Sequence, residues 1–258
     1  MTSWIALSPK QYGNANFQPR TDFNFCAQRL AIPVLLPELM QLLPHMVLGV
    51  QVGEQNCVPV GFLALTPNQP LYVSEDGSWE LPYIPAMLRA HPFAIKTTDQ
   101  GQRALCLHEA HLSDDEGTPL FTTEGTLNDP VAKTLTFLEH CEKGQHQACM
   151  AARQLHTADV LEQWPLKIKS ADGEANPFAL PGLHRVNEAA LNALDTETYH
   201  SLRGGPMALA HAQLFSMAQL GQLARRAATQ FAATSSTAPK DPNRLLWEDD
   251  DVLINFDS

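Results

Sequence analysis

The chain holds 258 residues, 44% of them hydrophobic and 17% charged, a balance that excludes a disordered chain, a coiled coil and a collagen-like fibre. Lys and Arg total 17 against 28 Asp and Glu, a net charge of -11. Without a local basic patch that charge repels phosphate backbones and anionic lipid heads, so neither nucleic acid nor insertion into a membrane is expected.

The first residues, MTSWIALSPK, carry no basic stretch leading into an apolar run and no small-residue cleavage site, and a cytoplasmic location is expected. Cys26, Cys57, Cys106, Cys141 and Cys149 are odd in number and unpatterned, which fits reduced thiols better than a disulfide frame. The apolar stretch 30–50 is interrupted by Pro33, Pro37, Glu38, Gln41, Pro44 and His45. It reads as a buried strand-turn-helix segment rather than a membrane span. Up to about residue 128, short apolar runs at 46–52, 58–65, 71–73, 93–95 and 104–107 stand between turn formers, the pattern of strands. Most separations are too short for crossover helices, which predicts an antiparallel sheet.

Helix formers dominate thereafter. Asn128 or Asp129 caps a helix with Pro130 in its first turn, where the missing N–H costs nothing. Its apolar stripe, Val131, Leu135, Leu138 and Cys141, weakens at Gln145; Gly144 reads as a break, with a second helical stretch at 147–161. Residues 164–168 predict a strand ending at the turn residues Asp172 and Gly173. Asn187 and Asp195 cap two short helices, Gly204 and Gly205 stop the second, and Pro206 opens what reads as the longest helix, to about Phe231. Met207, Ala210, Leu214, Met217, Leu220 or Gly221, and Ala224 or Ala228 mark its apolar face. Residues 232–243 read as an exposed linker. Residues 244–258, with Asp249, Asp250 and Asp251 beside an apolar run, form an acidic tail that docks as an edge strand or meets a partner chain. The prediction is one α+β domain over residues 1–231, an antiparallel sheet from the N-terminal half with helices of the C-terminal half packed on it.

The run Gly77-Ser78-Trp79-Glu80-Leu81-Pro82-Tyr83-Ile84-Pro85-Ala86-Met87-Leu88-Arg89-Ala90-His91-Pro92-Phe93 resembles the "G-x-W, Y-I-P-A, R-R-Y-P-F" signature of the bacterial SapC family. Residues 61–65 and 68–73 are similar to the family's "L-G-L, N-L-F-V" stretch. Residues 105–107, 119–121 with Gly125, and 182–188 leading to Leu191 and Leu194 follow in the family's order. The family is associated with paracrystalline surface layers, and its genes neighbour those of flavin-dependent halogenases, cupin-like oxygenases and outer-membrane receptors. The resemblance implies a non-catalytic binding or accessory protein acting on a peptide or protein partner, such as a flavin-dependent halogenase or a cupin-like oxygenase. A metal-dependent oxygenase or other modifying enzyme linked to those halogenases, and a surface-layer structural protein, are the alternatives. Ala90 and His91 depart from the second arginine and the tyrosine of the signature.

Trp79, Tyr83, Arg89 and His91 are the candidate ligand-binding residues. Trp79 and Tyr83 each offer a flat apolar face with one hydrogen-bonding edge, and Arg89 a planar cation suited to a carboxylate. That set suits a peptide or small-acid pocket. Stiffened by Pro82, Pro85 and Pro92, it equally suits a packed corner. His108-Glu109-Ala110-His111 falls one residue short of the helical H-E-x-x-H zinc motif. Strand alternation sends His108 and His111 apart unless the chain turns between them, and an iron site would have to join His111 or Asp114 to a distant histidine such as His184. His140, Cys141, His146 and Cys149 lack a C-x-x-C knuckle, and a helix turns them through different directions. No metal or cofactor is expected. No nucleophile elbow, phosphate-cradling loop or dinucleotide fingerprint occurs in the sequence.

Overall fold

The computed structural model describes residues 4–98, 101–169, 175–177 and 180–234. Its central sheet has five strands in the order Leu161–Gln163, Leu183–Val186, Leu48–Val52, Cys57–Phe62, Ala31–Pro33. A second sheet places Arg103–His108 between Trp4–Ala6 and Phe93–Thr97, and a third places Asn16–Phe17 between Leu112–Ser113 and Thr118–Pro119. A two-stranded ribbon joins Lys167–Lys169 to Ala175–Pro177. Every pairing among the described residues is antiparallel. The protein is α+β, although two strands of the central sheet come from the C-terminal half.

Most of the expected strands form where short apolar runs are bounded by turns. Residues 71–73 are an exception: Val73 makes a single bridge to Trp79, because Tyr72 and Leu71 are drawn into the core as buried side chains. The strand expected at 164–168 divides into two around the buried Trp164, which packs on Phe62 with ring centroids 5.5 Å apart. Its terminal turn, Asp172 and Gly173, lies outside the described residues.

The helices correct the sequence reading twice. Asn128 caps a single helix, Asp129–Thr157, that runs straight through Gly144. The glycine is buried and lets Leu35 lie close, since a Cβ there would come within 3.4 Å of the Leu35 side chain. The buried stripe continues past Cys141 on small residues, Ala148, Ala151 and Ala152, which permit close approach to the helix Gly205–Ser216 and to the central sheet. The segment opened by Pro206 is not the longest helix: it stops at Ser216, passes through a 3₁₀ turn, Met217–Gln219, and resumes as Leu220–Thr234. Residues 232–234 thus close the last helix, while 235–243 of the expected linker and the whole tail 244–258 lie outside the described residues.

Two large apolar cores result, with a small cluster of Leu35, Ala86 and Cys141 besides. The larger lies between the central sheet and the C-terminal helices. The smaller, around Phe17, Phe93, Leu107, Leu120 and Val131, lies beneath the three-stranded sheets. The segment from Trp79 to Phe93 crosses from one to the other: Trp79 and Tyr83 pack on the larger, Ala90 and Phe93 belong to the smaller. All five cysteines are free thiols. Among the described residues no helix is long and apolar enough to cross a membrane.

Candidate functional site

The segment begins at a tight turn. Asp76 accepts hydrogen bonds from the Ser78 N–H and the Ser74 and Ser78 hydroxyls. Gly77 sits at φ +83°, where a Cβ would come within 2.6 Å of Asp22, so both backbone sign and space demand glycine. Trp79 follows, half-buried against Phe23 and Tyr72 at 5.5 and 5.9 Å between ring centroids. Its indole N–H donates to the Tyr83 carbonyl at 2.9 Å. The Tyr83 hydroxyl donates to Glu38 Oε2 at 3.0 Å and accepts from Arg89 Nη2 at 3.2 Å. Burial first, then the adjacent Glu38 carboxylate, pushes that hydroxyl up to about 12. Trp79 and Tyr83 therefore spend their polar atoms inside the fold.

Arg89 ends the helical turn Ala86–Arg89 and lies over the rings of Tyr83 and Phe137, at 5.3 and 5.0 Å. It faces an open groove of about 490 Å³ whose walls also include Arg20, Phe23, His91 and Thr134. Arg20 reaches this place over a long separation in sequence: its Nη1 donates to the carbonyls of Arg89 at 2.7 Å and His91 at 3.2 Å, and its guanidinium covers Phe23 at 4.8 Å. Burial draws its pKa down.

His91, which also lines the groove, gathers two further histidines. Its ring stacks on Phe25 with 3.7 Å between centroids and 7° between planes. Its Nε2 lies 3.2 Å from His111 Nε2. The 3₁₀ turn Glu109–His111 follows directly on the strand ending at His108, and this bend cancels the alternation that would separate His108 from His111. The three ring centroids stand 5.0 to 5.9 Å apart, with Trp4 edge-on to His91 and His108. His111 Nδ1 lies 2.8 Å from the Gln18 carbonyl. A carbonyl only accepts, so that nitrogen carries the proton; in neutral His111 the Nε2 is then the acceptor, and His91 Nε2–H the donor. His108 Nδ1 is buried without a partner among the described residues.

Residues 7–223 match the model of the SapC family. The chain belongs to the SapC family. No curated protein and no solved structure matches it. The matched span holds Arg20, Arg89 and all three clustered histidines, whereas Trp4 lies just before it.

In this SapC-family fold the other histidine and cysteine candidates are scattered. His184 faces His156 at 6.1 Å rather than joining His111. Cys141 packs with Leu35 and Ala86, while His146 and Cys149 line a separate cavity of about 610 Å³ with Cys57 and Arg153. His140 is exposed. Among the described residues no three His, Cys, Asp or Glu side chains are arranged to hold a metal ion. Sequence reasoning missed Arg20 and Glu38. Nothing local marks Arg20, but a lone carboxylate inside the apolar stretch 30–50 was a usable signal for Glu38, since a buried acid must find donors.

Burial, and then His111, His108, Arg20 and Arg29, hold the His91 pKa down at about 4; burial and His111 also lower that of His108. Both folded values lie below the unfolded value of about 6.5, so the unfolded chain binds more protons in between and stability falls on acidification. Thermal midpoints are expected to drop as pH falls from about 6.5 towards about 4, and the slope is expected to be shallower in His91→Gln. A slope unchanged in that variant would show that other groups control the acid transition.

Proposed function

We propose that this SapC-family protein is a non-catalytic binding or accessory protein that receives an acidic segment of a peptide or protein partner in the groove between Arg20 and Arg89. The observation carrying this reading is that both guanidiniums line one groove and neither forms an ion pair among the described residues. In a chain with 28 acidic and 17 basic side chains, two adjacent cations without a carboxylate are held back for an external one. Each guanidinium keeps N–H donors in a planar fork that matches a carboxylate, and the partial burial of Arg20 is offset when an anion arrives. The nucleophiles nearby favour binding over covalent chemistry: burial pushes the Cys141 thiol up to about 11 and the Tyr83 hydroxyl up to about 12, so both are protonated at neutral pH.

The test is fluorescence anisotropy with a labelled peptide bearing an Asp-Glu cluster, against its Asn-Gln counterpart. The acidic peptide is expected to bind, its affinity to fall with added salt, and Arg20→Gln and Arg89→Gln each to weaken it about tenfold. Equal affinity for both peptides, or none for either, overturns the proposal. Stoichiometric iron or manganese together with turnover of a substrate would favour the oxygenase alternative.

A further inference from the structure

His91 belongs to two grooves. It lines the Arg20–Arg89 groove, and it also lines a smaller one of about 250 Å³ with Trp4, Phe25, Arg29 and Lys96. We infer that docking of an acidic segment loads one proton onto the His91–His111 pair, so that the protein binds its partner more tightly as pH falls. This rests on the binding reading above and adds its regulation.

The geometry permits the step without disturbing the fold. His111 is fixed by the Gln18 carbonyl and offers only its Nε2 to His91. His91 already donates from Nε2, so its Nδ1 can take a proton while the 3.2 Å contact stays intact. The balance is simple: one proton from solvent becomes bound at Nδ1, and the pair then carries one positive charge.

The surroundings decide when that happens. Arg20 and Arg29 oppose a charge on His91 from the segment leading into the strand Ala31–Pro33, and His108 and His111 from the end of the strand Arg103–His108 and the turn beyond it. Lys96 lies 4.9 Å from the Trp4 ring that touches both His91 and His108. Arg89 stands across the groove. The carboxylates close by are Glu109, which favours the charged form of His108, and Glu142, which lines the smaller groove but is paired with Arg103. With cations outnumbering free carboxylates, a charge on His91 is disfavoured when the groove is empty. An incoming carboxylate reverses the local sign and draws the proton in. Linkage then requires affinity to rise as pH falls, by at most about tenfold per pH unit for one proton.

The experiment is isothermal titration of the protein with an acidic peptide built on cysteic acid, whose sulfonates do not titrate in this range, at pH 7.5, 6.5 and 5.5. Each pH is run in two buffers of different ionisation heat, so that proton uptake is counted directly. The expected result is uptake approaching one proton and an affinity about tenfold higher at pH 5.5 than at pH 7.5. His91→Gln and His111→Gln are each expected to flatten that dependence, whatever their affinity at pH 7.5. Peptide binding with no proton uptake and a flat profile in the unsubstituted protein overturns this inference and leaves the binding reading standing; absence of binding at every pH overturns both.

Discussion

Glu38→Ala is expected to destabilise the protein by about 4 kcal/mol and to lower its thermal midpoint by about 10 °C. Glu38 is 4% exposed and belongs to the 3₁₀ turn Leu36–Glu38. Its Oε1 accepts from the Leu35 N–H at 2.9 Å, and its Oε2 from the Tyr83 hydroxyl at 3.0 Å and the Ala86 N–H at 2.8 Å. One carboxylate thereby ties the turn before the central hairpin to both ends of the Tyr83–Ala86 segment. Alanine would leave two buried N–H groups and a hydroxyl without acceptors, each at a cost of about 1–3 kcal/mol. Glu38→Gln keeps one acceptor oxygen but turns an amide N–H₂ towards a donor, and about half the loss is expected. Tyr83→Phe removes one bond of the three and is expected to cost about 1 kcal/mol. Urea unfolding of the three variants checks the order. Glu38→Ala within about 1 kcal/mol of the parent, less than a single orphaned donor should cost, would show that the turn relaxes and the carboxylate is dispensable. Since Arg89 Nη2 donates to the Tyr83 hydroxyl, the same carboxylate also steadies, through Tyr83, a guanidinium that lines the groove.

What the sequence displayed depended on how local the determining chemistry was. Asn128, Asn187 and Asp195 are legible as caps because a capping side chain bonds N–H groups within three positions of itself, as all three do. The hairpin of Leu48–Val52 and Cys57–Phe62 is equally local: two apolar runs with a short polar connection. Gly144 misled because its role is tertiary. A glycine inside a helical pattern reads as a break until Leu35, more than 100 positions earlier, is seen to press on it. The histidines misled for a related reason. The pair at 108 and 111 separates or converges according to whether the strand bends, and His91 joins only because the strand Phe93–Thr97 pairs with Arg103–His108 and brings the chain ahead of it alongside. Arg20 is the extreme case. Its contacts with the carbonyls of Arg89 and His91 span about 70 positions, and no periodicity or motif encodes them.

Gln213→Leu is the second large effect, expected to cost about 3 kcal/mol and about 8 °C in thermal midpoint despite conserving volume. Spacing alone placed Met207, Ala210, Leu214 and Met217 on the buried face of this helix. All four pack on the larger core, Met207 and Ala210 buried and Leu214 and Met217 half-buried, but the structure adds Gln213, 1% exposed, and Ser216, fully buried, and leaves Phe215 66% exposed. The reason lies in the sheet. Leu183–Val186 pairs with Leu48–Val52 only at Leu183↔Gln51 and His184↔Val50; continuing that register would set Val186 opposite Leu48. There the strands are joined through the helix. Gln213 Oε1 accepts from the Val186 N–H at 2.9 Å and its Nε2 donates to the Leu48 carbonyl at 3.2 Å, while Ser216 Oγ accepts from the Leu48 N–H at 3.0 Å. Buried backbone groups must be paired, so two polar side chains occupy an otherwise apolar face. Leucine fills the space but strands one N–H and one carbonyl, each worth about 1–3 kcal/mol. Ser216→Ala strands only the Leu48 N–H and is expected to cost about half as much. Hydrogen exchange gives the local readout: the Val186 amide should lose protection in Gln213→Leu by more than the global loss of stability accounts for. Parent-like stability, with Val186 still protected, would mean that the two strands close directly on one another and that the glutamine is not what holds them.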